Sequence, residues 1–194
     1  MKKILLISAI AIFLASCTTI GFENPVPKNT QSLTKFPKEL IGTYSDGQKD
    51  TLVITETGFV YGRPDSTLFY MNDKLEKGKV ELKKFNEYYI LNKKSEKAEI
   101  WGIIPFIFRN GKLEVYFANL DTQKEELRAN GDTAATINTV IEQLQKVTPV
   151  KIQDKADNSE DKDYIVNPTN EELKQLFEQE FFVKVMDFYR IKDK

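Results

Sequence analysis

The sequence predicts an α+β fold in which an antiparallel β meander curls into a half-barrel or barrel, with two or three helices in the C-terminal half. Three observations predict it. Short β-branched and aromatic runs follow one another from residue 40 to residue 117, mostly joined by turn residues. Asn110-Gly111 separates two of these runs and is the dipeptide most typical of a two-residue hairpin. After residue 119 the apolar spacing changes to that of helices.

The predicted strands can be read in order along the first half of the chain. They are residues 40–44, 51–55, 59–61, 67–71, 80–82, 88–91, 100–108 and 113–117. The run 100–108 is the most hydrophobic, and it is too short to cross a bilayer. Because Pro105 would break a helix, this run is predicted to be a strand, buried on both faces and kinked or bulged at the proline.

The first helices are predicted from a capping box and an amphipathic run. Thr122 and Glu125 form the box, which opens a short helix that ends near Asn130-Gly131. A second helix follows, because apolar residues lie at i, i+3, i+4 and i+7 before Pro149. These residues are Ile137, Val140, Ile141 and Leu144.

A third helix and a last strand are predicted near the end of the chain. Thr169 and Glu172 form another capping box. Leu173, Leu176 and Phe177 would lie on one side of the helix that it opens. Residues 181–191 are aromatic and β-branched, which favours a strand.

Charge and two scarce residue types narrow the function classes. The chain has 28 basic and 29 acidic residues, so it has no general attraction for a polyanion, and nucleic acid is not expected as a partner. It has no histidine, which excludes imidazole acid–base chemistry and histidine-bound metals. Cys17 is the only cysteine, so the chain beyond it offers no thiol nucleophile, disulfide or thiolate zinc site. No cofactor and no metal are expected.

The first seventeen residues have the layout of an export signal. Met1-Lys2-Lys3 is basic, and residues 4–14 are apolar apart from Ser8. This stretch is too short to span a bilayer but suits the hydrophobic region of a signal peptide. Leu14-Ala15-Ser16-Cys17 follows, and it resembles the lipobox of bacterial lipoproteins, in which Leu lies three places before the Cys and small residues lie between them.

The lipobox resemblance implies a set of modifications and a domain organisation. A diacylglycerol thioether would form on the Cys17 sulfur, a peptidase would cut between Ser16 and Cys17, and the new amine would often be acylated. Two or more acyl chains hold a protein stably at a membrane. The expected organisation is a cleaved signal peptide over residues 1–16, a lipidated N-terminus and flexible tether over 17–38, and one globular α+β domain over 39–194.

The residue after the cysteine gives an expected location in the cell envelope. Thr18 follows Cys17 where the enterobacterial sorting rule would use Asp to retain a lipoprotein at the inner membrane, which implies the outer membrane. The Lys-, Asn- and Phe-rich sequence resembles small lipoproteins of the Bacteroidota. Residues 18–22 contain no acidic side chain, so a surface-export signal of that group is not present, and a periplasm-facing position is expected.

The hydrophobic run also supplies the candidate site residues. Trp101, Ile103, Phe106 and Phe108 could form the wall of an apolar pocket or a partner-docking edge, joined by Tyr88 and Tyr89 if their strand is adjacent. Residues 40–44 are similar to the Gly-x-Trp strand that begins lipocalin-like barrels, with Tyr44 where Trp is expected.

Two further motifs are not expected to act. Asp154, Asp157, Asp161 and Asp163 suggest a calcium loop, but Lys162 and Pro168 take the places of the required Gly and Glu. Ser32-Leu33-Thr34-Lys35 matches the Ser-x-x-Lys motif of penicillin-binding proteins and serine β-lactamases, but no Ser-Asp-Asn or Lys-Thr-Gly follows.

Three functional hypotheses remain open from the sequence. The first is a membrane-anchored lipoprotein whose domain is a non-enzymatic binding or envelope-assembly module, and it is favoured because catalytic signatures are missing. The second is a carboxylate-dependent hydrolase that acts on envelope glycans. The third is a lipocalin-like carrier of an apolar ligand. The expected partners are the membrane, through lipid on Cys17, and an envelope protein or a small apolar ligand.

Overall fold

Twelve β-strands and two α-helices lie in the part of the chain that the computed structural model describes, which is residues 19–47, 50–65, 70–96, 98–118, 133–154 and 162–191. The strands are β1 (Thr19–Phe22), β2 (Gly42–Ser45), β3 (Thr51–Ile54), β4 (Gly58–Tyr61), β5 (Met71–Lys74), β6 (Val80–Phe85), β7 (Tyr88–Lys94), β8 (Trp101–Arg109), β9 (Lys112–Ala118), β10 (Val150–Asp154), β11 (Lys162–Val166) and β12 (Phe182–Arg190). The helices are α1 (Thr133–Val147) and α2 (Asn170–Glu178), and a short 3-10 helix spans Lys38–Leu40.

The strands form one mixed sheet with a branch. The main path is β6-β7-β8-β9-β12-β2-β3-β4-β5, and every pair along it is antiparallel. The branch leaves β8 where Trp101 pairs with Phe22 of β1, and it continues into β11 and β10. β1 and β11 are parallel. The predicted class, an α+β fold with a curled, largely antiparallel sheet, is confirmed, and the described sheet is open rather than closed.

Contacts between distant strands show how strongly the sheet curls. Lys93 Nζ in β7 lies 2.8 Å from Asp73 Oδ2 in β5, although six strands separate β7 from β5 along the sheet. The rings of Tyr61 in β4 and Phe188 in β12 meet edge to face at 5.4 Å across two intervening strands. The two ends of the main path therefore approach each other, as in a half-barrel.

Local signals explain the turns and helix starts that were predicted. Asn110 and Gly111 have φ values of 52° and 73°, the left-handed conformations that a tight hairpin between β8 and β9 needs. At the start of α2, Thr169 Oγ1 accepts the backbone N–H of Glu172 at 3.2 Å. Glu172 Oε2 accepts the backbone N–H of Thr169 at 2.7 Å, which completes the predicted capping box. The helix predicted from Thr122 lies outside the described residues.

Buried side chains form two clusters, one on each face of the central strands. The strand cluster consists of Phe36, Leu40, Tyr44, Ile54, Phe59, Tyr61, Val80, Leu82, Tyr89, Leu91, Phe106, Leu113 and Phe188. The helix cluster consists of Phe22, Val26, Ile90, Trp101, Val140, Ile141, Leu144, Val166, Leu173, Leu176, Phe181 and Phe182. The predicted apolar faces of α1 and α2 both lie in the helix cluster.

The segment before residue 39 differs from the flexible tether that was expected. Thr19–Phe22 is strand β1, and the side chains of Phe22, Val26 and Phe36 are only 3%, 1% and 5% exposed. We call residues 23–37 the strap. Its Leu33 N–H donates to the carbonyl of Leu82 in β6 and its Phe36 N–H to the carbonyl of Glu56, both at 2.8 Å. Described residues from 19 onward therefore belong to the folded domain.

Two strands that were not predicted from the sequence, β10 and β11, lie on either side of the acidic run that contains Asp157 and Asp161. β10 and β11 form an antiparallel hairpin in which Asp154 pairs with Lys162, and residues 155–161 lie outside the described part. The β-branched residues of Lys162–Val166 form a strand because β1 provides a parallel partner on one edge and β10 an antiparallel partner on the other.

Candidate functional site

The six aromatic and aliphatic residues predicted to form one apolar wall lie on two opposite faces of the sheet. β7 and β8 are adjacent as expected, with Tyr89 opposite Phe106. Successive side chains on a strand point to opposite faces. Phe106, Phe108 and Tyr89 therefore pack with the strand cluster, whereas Trp101, Ile103 and Tyr88 pack with the helix cluster. No single pocket can have all six as its wall.

On the helix side, the predicted site residues are used in packing. The ring of Tyr88 stacks on Phe177 of α2 with centroids 4.2 Å apart and meets Tyr116 edge to face at 5.4 Å. Trp101 is buried among the helix cluster. On one edge, β8 pairs with β1 at Trp101 and with β9 from Phe106 onward. Pro105 lies between these two residues. The proline thus lies where β8 changes partner on one edge.

On the other face, Tyr89 and Phe106 contribute to a filled interior. Their rings stack at 5.5 Å, and the Tyr89 hydroxyl donates to Glu39 Oε1 at 3.0 Å. Burial, reinforced by that carboxylate, raises the pKa of Tyr89 to about 12. Tyr89 is therefore neutral across the physiological range, and it connects the strand cluster to the 3-10 helix.

A groove of about 850 Å³ lies between the strap and strands β2 and β3. Its apolar lining includes Leu33, Phe36, Ile41, Val53 and Ile54. Polar side chains of Lys35, Lys38, Thr43, Thr55 and Glu56 complete the lining. The groove is open to solvent and its lining is mostly apolar, so it could cover one side of a partner segment rather than enclose a small ligand.

The charges at the groove are partly neutralised. Lys35 Nζ lies 2.6 Å from Glu56 Oε1, and both side chains are exposed, so this pair contributes little stability. Lys38 is also exposed, in the first position of the 3-10 helix. Apolar walls with two lysines beside them suit an apolar or weakly anionic segment.

Buried polar side chains fix the strap that forms one wall of the groove. Asn92 is completely buried, and its Oδ1 accepts the N–H of Val26 at 2.8 Å while its Nδ2 donates to the Val26 carbonyl at 2.9 Å. Lys83 Nζ donates to the carbonyls of Pro25 and Pro27 at 3.0 and 3.1 Å. Burial lowers the pKa of Lys83, and the neighbouring carboxylate of Glu81 opposes that shift.

The Ser-x-x-Lys motif also lies in the strap, and its two polar side chains have separate partners. Ser32 Oγ donates to Glu81 Oε2 at 2.5 Å, and the other oxygen of Glu81 accepts the N–H of Gly78 at 2.9 Å. Lys35 pairs with Glu56, at the groove. Ser32 therefore helps to hold the strap, and the geometry provides no reason to treat it as a nucleophile.

An arginine that sequence reasoning missed covers the end of the strand cluster nearest the 3-10 helix. The guanidinium carbon of Arg190 lies 5.1 Å from the ring centroid of Tyr44 and 5.2 Å from that of Phe108, distances within the range of cation–π contacts. Arg190 also donates to the Tyr44 hydroxyl at 2.6 Å and to the carbonyl of Glu39. In the sequence, only the aromatic residues in the runs 40–44 and 100–108 indicated that a cationic side chain could pack there.

Searches for similar proteins found no match to this chain among protein-family models, curated proteins or solved structures.

Two further searches covered only the described part of the chain. Neither helix there is both long and apolar enough to cross a membrane. The same residues contain no cluster of three carboxylate, cysteine or histidine side chains arranged to hold a metal ion.

Proposed function

We propose that this chain is a lipid-anchored protein of the bacterial cell envelope whose domain is a non-enzymatic binding module. The observation that carries the proposal is Leu14-Ala15-Ser16-Cys17, which follows a short basic and apolar leader. A diacylglycerol on Cys17, with an acylated amine, exceeds the two chains needed for stable anchoring. The expected position is the outer membrane, facing the periplasm.

The groove beside the strap supports the binding role. It is lined by Phe36, Ile41 and Val53 among others, and it opens to solvent. The space inside the curled sheet, where a lipocalin-like carrier would hold its ligand, is occupied by side chains such as Tyr44, Leu82 and Phe106. A partner would therefore bind at the open groove, as an envelope protein segment or a small apolar ligand.

Lipid labelling of the Cys17→Ala variant tests the anchor. Cells are fed radiolabelled palmitate, and the wild-type chain is expected to carry label and to sediment with membranes. Cys17→Ala is expected to lose the label completely, since the thioether needs the sulfur. Ser16→Ala is the matched control and should keep the label, because the position needs only a small residue. Equal labelling of Cys17→Ala and the wild type would contradict the proposal.

A fluorescent apolar anion tests the groove. Anilinonaphthalene sulfonate should bind the folded domain with increased emission, because the groove has apolar walls and two lysines beside it. Val53→Asp should reduce that emission several-fold by placing a carboxylate in the groove, whereas Ile152→Asp, on the far strand β10, should leave it unchanged. Equal emission from the wild type and Val53→Asp would show that the probe does not bind at the groove.

A further inference from the structure

Strand β10 has one edge that no described strand covers. It is the last strand of the branch, and β11 pairs with its other edge. Four of its five residues are exposed. The two ends of the main path are different, because the strap bonds to β6 at Leu82 and Lys93 of β7 pairs with Asp73 of β5.

The hydrogen bonds of β11 show which peptide groups of β10 point to this open edge. The carbonyl of Val166 accepts the N–H of Glu23, which follows β1. Because peptide groups alternate in direction along a strand, those of Ile165 point the other way, toward Lys151 of β10. The N–H and carbonyl of Ile152, the next residue, therefore point away from β11.

An apolar row on the helix-cluster face also ends at this edge. Ile20 of β1 is opposite Tyr164 of β11, and Tyr164 is opposite Ile152. Ile20 and Tyr164 pack against the helix cluster, whereas Ile152 is 51% exposed. Among the described strands, none lies on the outer side of this isoleucine.

We propose that two copies of this chain associate through β10, with the two strands antiparallel and Ile152 opposite Ile152 about a two-fold axis normal to the sheet. The outward peptide groups of the two isoleucines exchange two hydrogen bonds, and Val150 and Asp154 form the flanking hydrogen-bonded pairs. The isoleucine side chains lie side by side, and the contact is isologous, as a two-fold dimer requires. This inference is independent of the proposed lipid anchor.

The charges of β10 favour this register and make the strand complementary to itself. Lys151 lies opposite Gln153 of the second copy, so no like charges meet. A shift of two residues one way places Lys151 opposite itself, and like charges directly opposite each other are destabilising. The other shift leaves only residues 152–154 paired. A shift of one residue turns the side chains to opposite faces.

The expected dimer is weak, because the contact is small. A strand pair of five residues on each side buries less surface than stable protein complexes do. We expect a dissociation constant on the order of 100 μM.

Disulfide cross-linking in intact cells tests the geometry. Residues in a hydrogen-bonded antiparallel pair have Cα atoms about 5.5 Å apart, a distance that a disulfide spans. After oxidation with copper–phenanthroline, full-length Ile152→Cys should form a reducible dimer. Tyr189→Cys is the matched control, since Tyr189 is 54% exposed but lies on β12 in the middle of the sheet, and it should cross-link at least about five-fold less. The wild-type chain reports the background from Cys17.

Peptide mapping of the cross-linked product identifies the partner. A disulfide from position 152 to position 152 supports the inference. A disulfide from position 152 to Cys17 or to a different protein would overturn it, and so would a yield no higher than that of Tyr189→Cys.

Substitutions on β10 test the register by sedimentation of the purified full-length chain in excess detergent. Gln153→Lys places a lysine opposite Lys151 of the second copy and should weaken dimerisation several-fold. The double variant Lys151→Gln/Gln153→Lys restores an amide opposite each lysine and should recover the wild-type affinity. A wild-type chain that stays monomeric up to about 500 μM, or a double variant as weak as Gln153→Lys, would overturn the inference.

Ile152→Pro separates dimerisation from folding. It removes an N–H that points outward, and proline is tolerated on an edge strand where its nitrogen faces solvent. The variant should be monomeric, with thermal unfolding close to that of the wild type. A folded Ile152→Pro chain that dimerises as the wild type does would contradict pairing through β10. Should the variant fail to fold, the Gln153→Lys variant and its rescue decide the question.

Discussion

The strand cluster and the helix cluster share the same central strands, but their other residues come from different parts of the chain. Along β7, Tyr89 and Leu91 enter the strand cluster, whereas Tyr88 and Ile90 face the helices. The strand cluster is enclosed mostly by strands joined through short turns. The helix cluster gathers β1, α1, α2 and the start of β12, which are far apart in sequence. The strand cluster is thus built mostly from strands that follow one another along the chain, with Phe36 and Phe188 added, whereas the helix cluster combines segments that are far apart in sequence.

The largest expected effect comes from removing a fully buried leucine from each cluster. Leu82 and Leu173 are both 0% exposed, so each leucine-to-alanine change should lower the free energy of unfolding by about 2–5 kcal/mol. Chemical denaturation measures that loss. Hydrogen exchange should then separate the layers, with Leu173→Ala accelerating exchange first in α1 and α2, and Leu82→Ala accelerating it throughout the sheet. Identical exchange profiles would mean that the two clusters form one cooperative unit.

Asn92→Ala tests the strap, which contributes Val26 to one cluster and Phe36 to the other. The variant leaves the N–H and carbonyl of Val26 buried without their partner, and the expected loss of unfolding free energy is about 2–4 kcal/mol. Asn24→Ala is the control, since Asn24 bonds to Asn167 in an exposed position, and it should change stability by less than about 0.5 kcal/mol. Equal losses would argue that the buried contact does not hold the strap.

Thr169→Ala probes the helix layer alone. It removes the side-chain acceptor for the N–H of Glu172, which should cost about 1 kcal/mol of unfolding free energy. Thr169→Ser keeps the hydroxyl and should restore most of that loss. Thermal unfolding measures both variants. A serine variant as unstable as the alanine variant would rule out the capping explanation.

The smallest effect concerns an ion pair on β9. Lys112 Nζ lies 2.8 Å from Glu114 Oε1, and this hydrogen bond lowers the pKa of Glu114 against the opposing effect of burial. A carboxyl pKa lower in the folded state gives stability that is present above the unfolded value of about 4.3 and is lost as the pH falls through the folded pKa. The stability advantage of the wild type over Glu114→Gln should therefore shrink between pH 7 and pH 3. An advantage that is constant with pH would contradict the ion pair.

Elements with local signals could be predicted from the sequence. The Asn110-Gly111 hairpin, the capping box at Thr169 and the apolar face around Val140 each depend on residues within a few positions of one another. Their structures follow the predictions closely.

The strap could not be predicted, because its order depends on distant partners. Pro25, Pro27 and the polar residues after them have the composition of a linker. Its structure comes from Asn92 and Lys83, which lie more than fifty residues further along the chain. The only hint in the sequence was that polar residues alternate with apolar ones in β6 and β7. Because buried polar side chains need hydrogen-bond partners, a polar segment of the chain was required beside them.

None of the six site residues predicted from the sequence lines the groove. The adjacency of β7 and β8 was predicted correctly. Because successive side chains on a strand point to opposite faces, however, Tyr88 and Tyr89 lie on opposite faces of the sheet. The groove itself was missed, since Phe36 and Ile41 are isolated apolar residues without periodicity. Only the approach of the strap to β3 makes them neighbours.

The position of β12 has a consequence for how the chain acquires its structure. This last strand lies between β9 and β2, in the middle of the main path. β1 likewise cannot form its parallel pairing until β11, about 140 residues later, has been synthesised. A chain that emerges N-terminus first keeps its sheet in two unjoined halves until residue 190 is available. A truncation before Phe182 should therefore abolish folding of the whole domain.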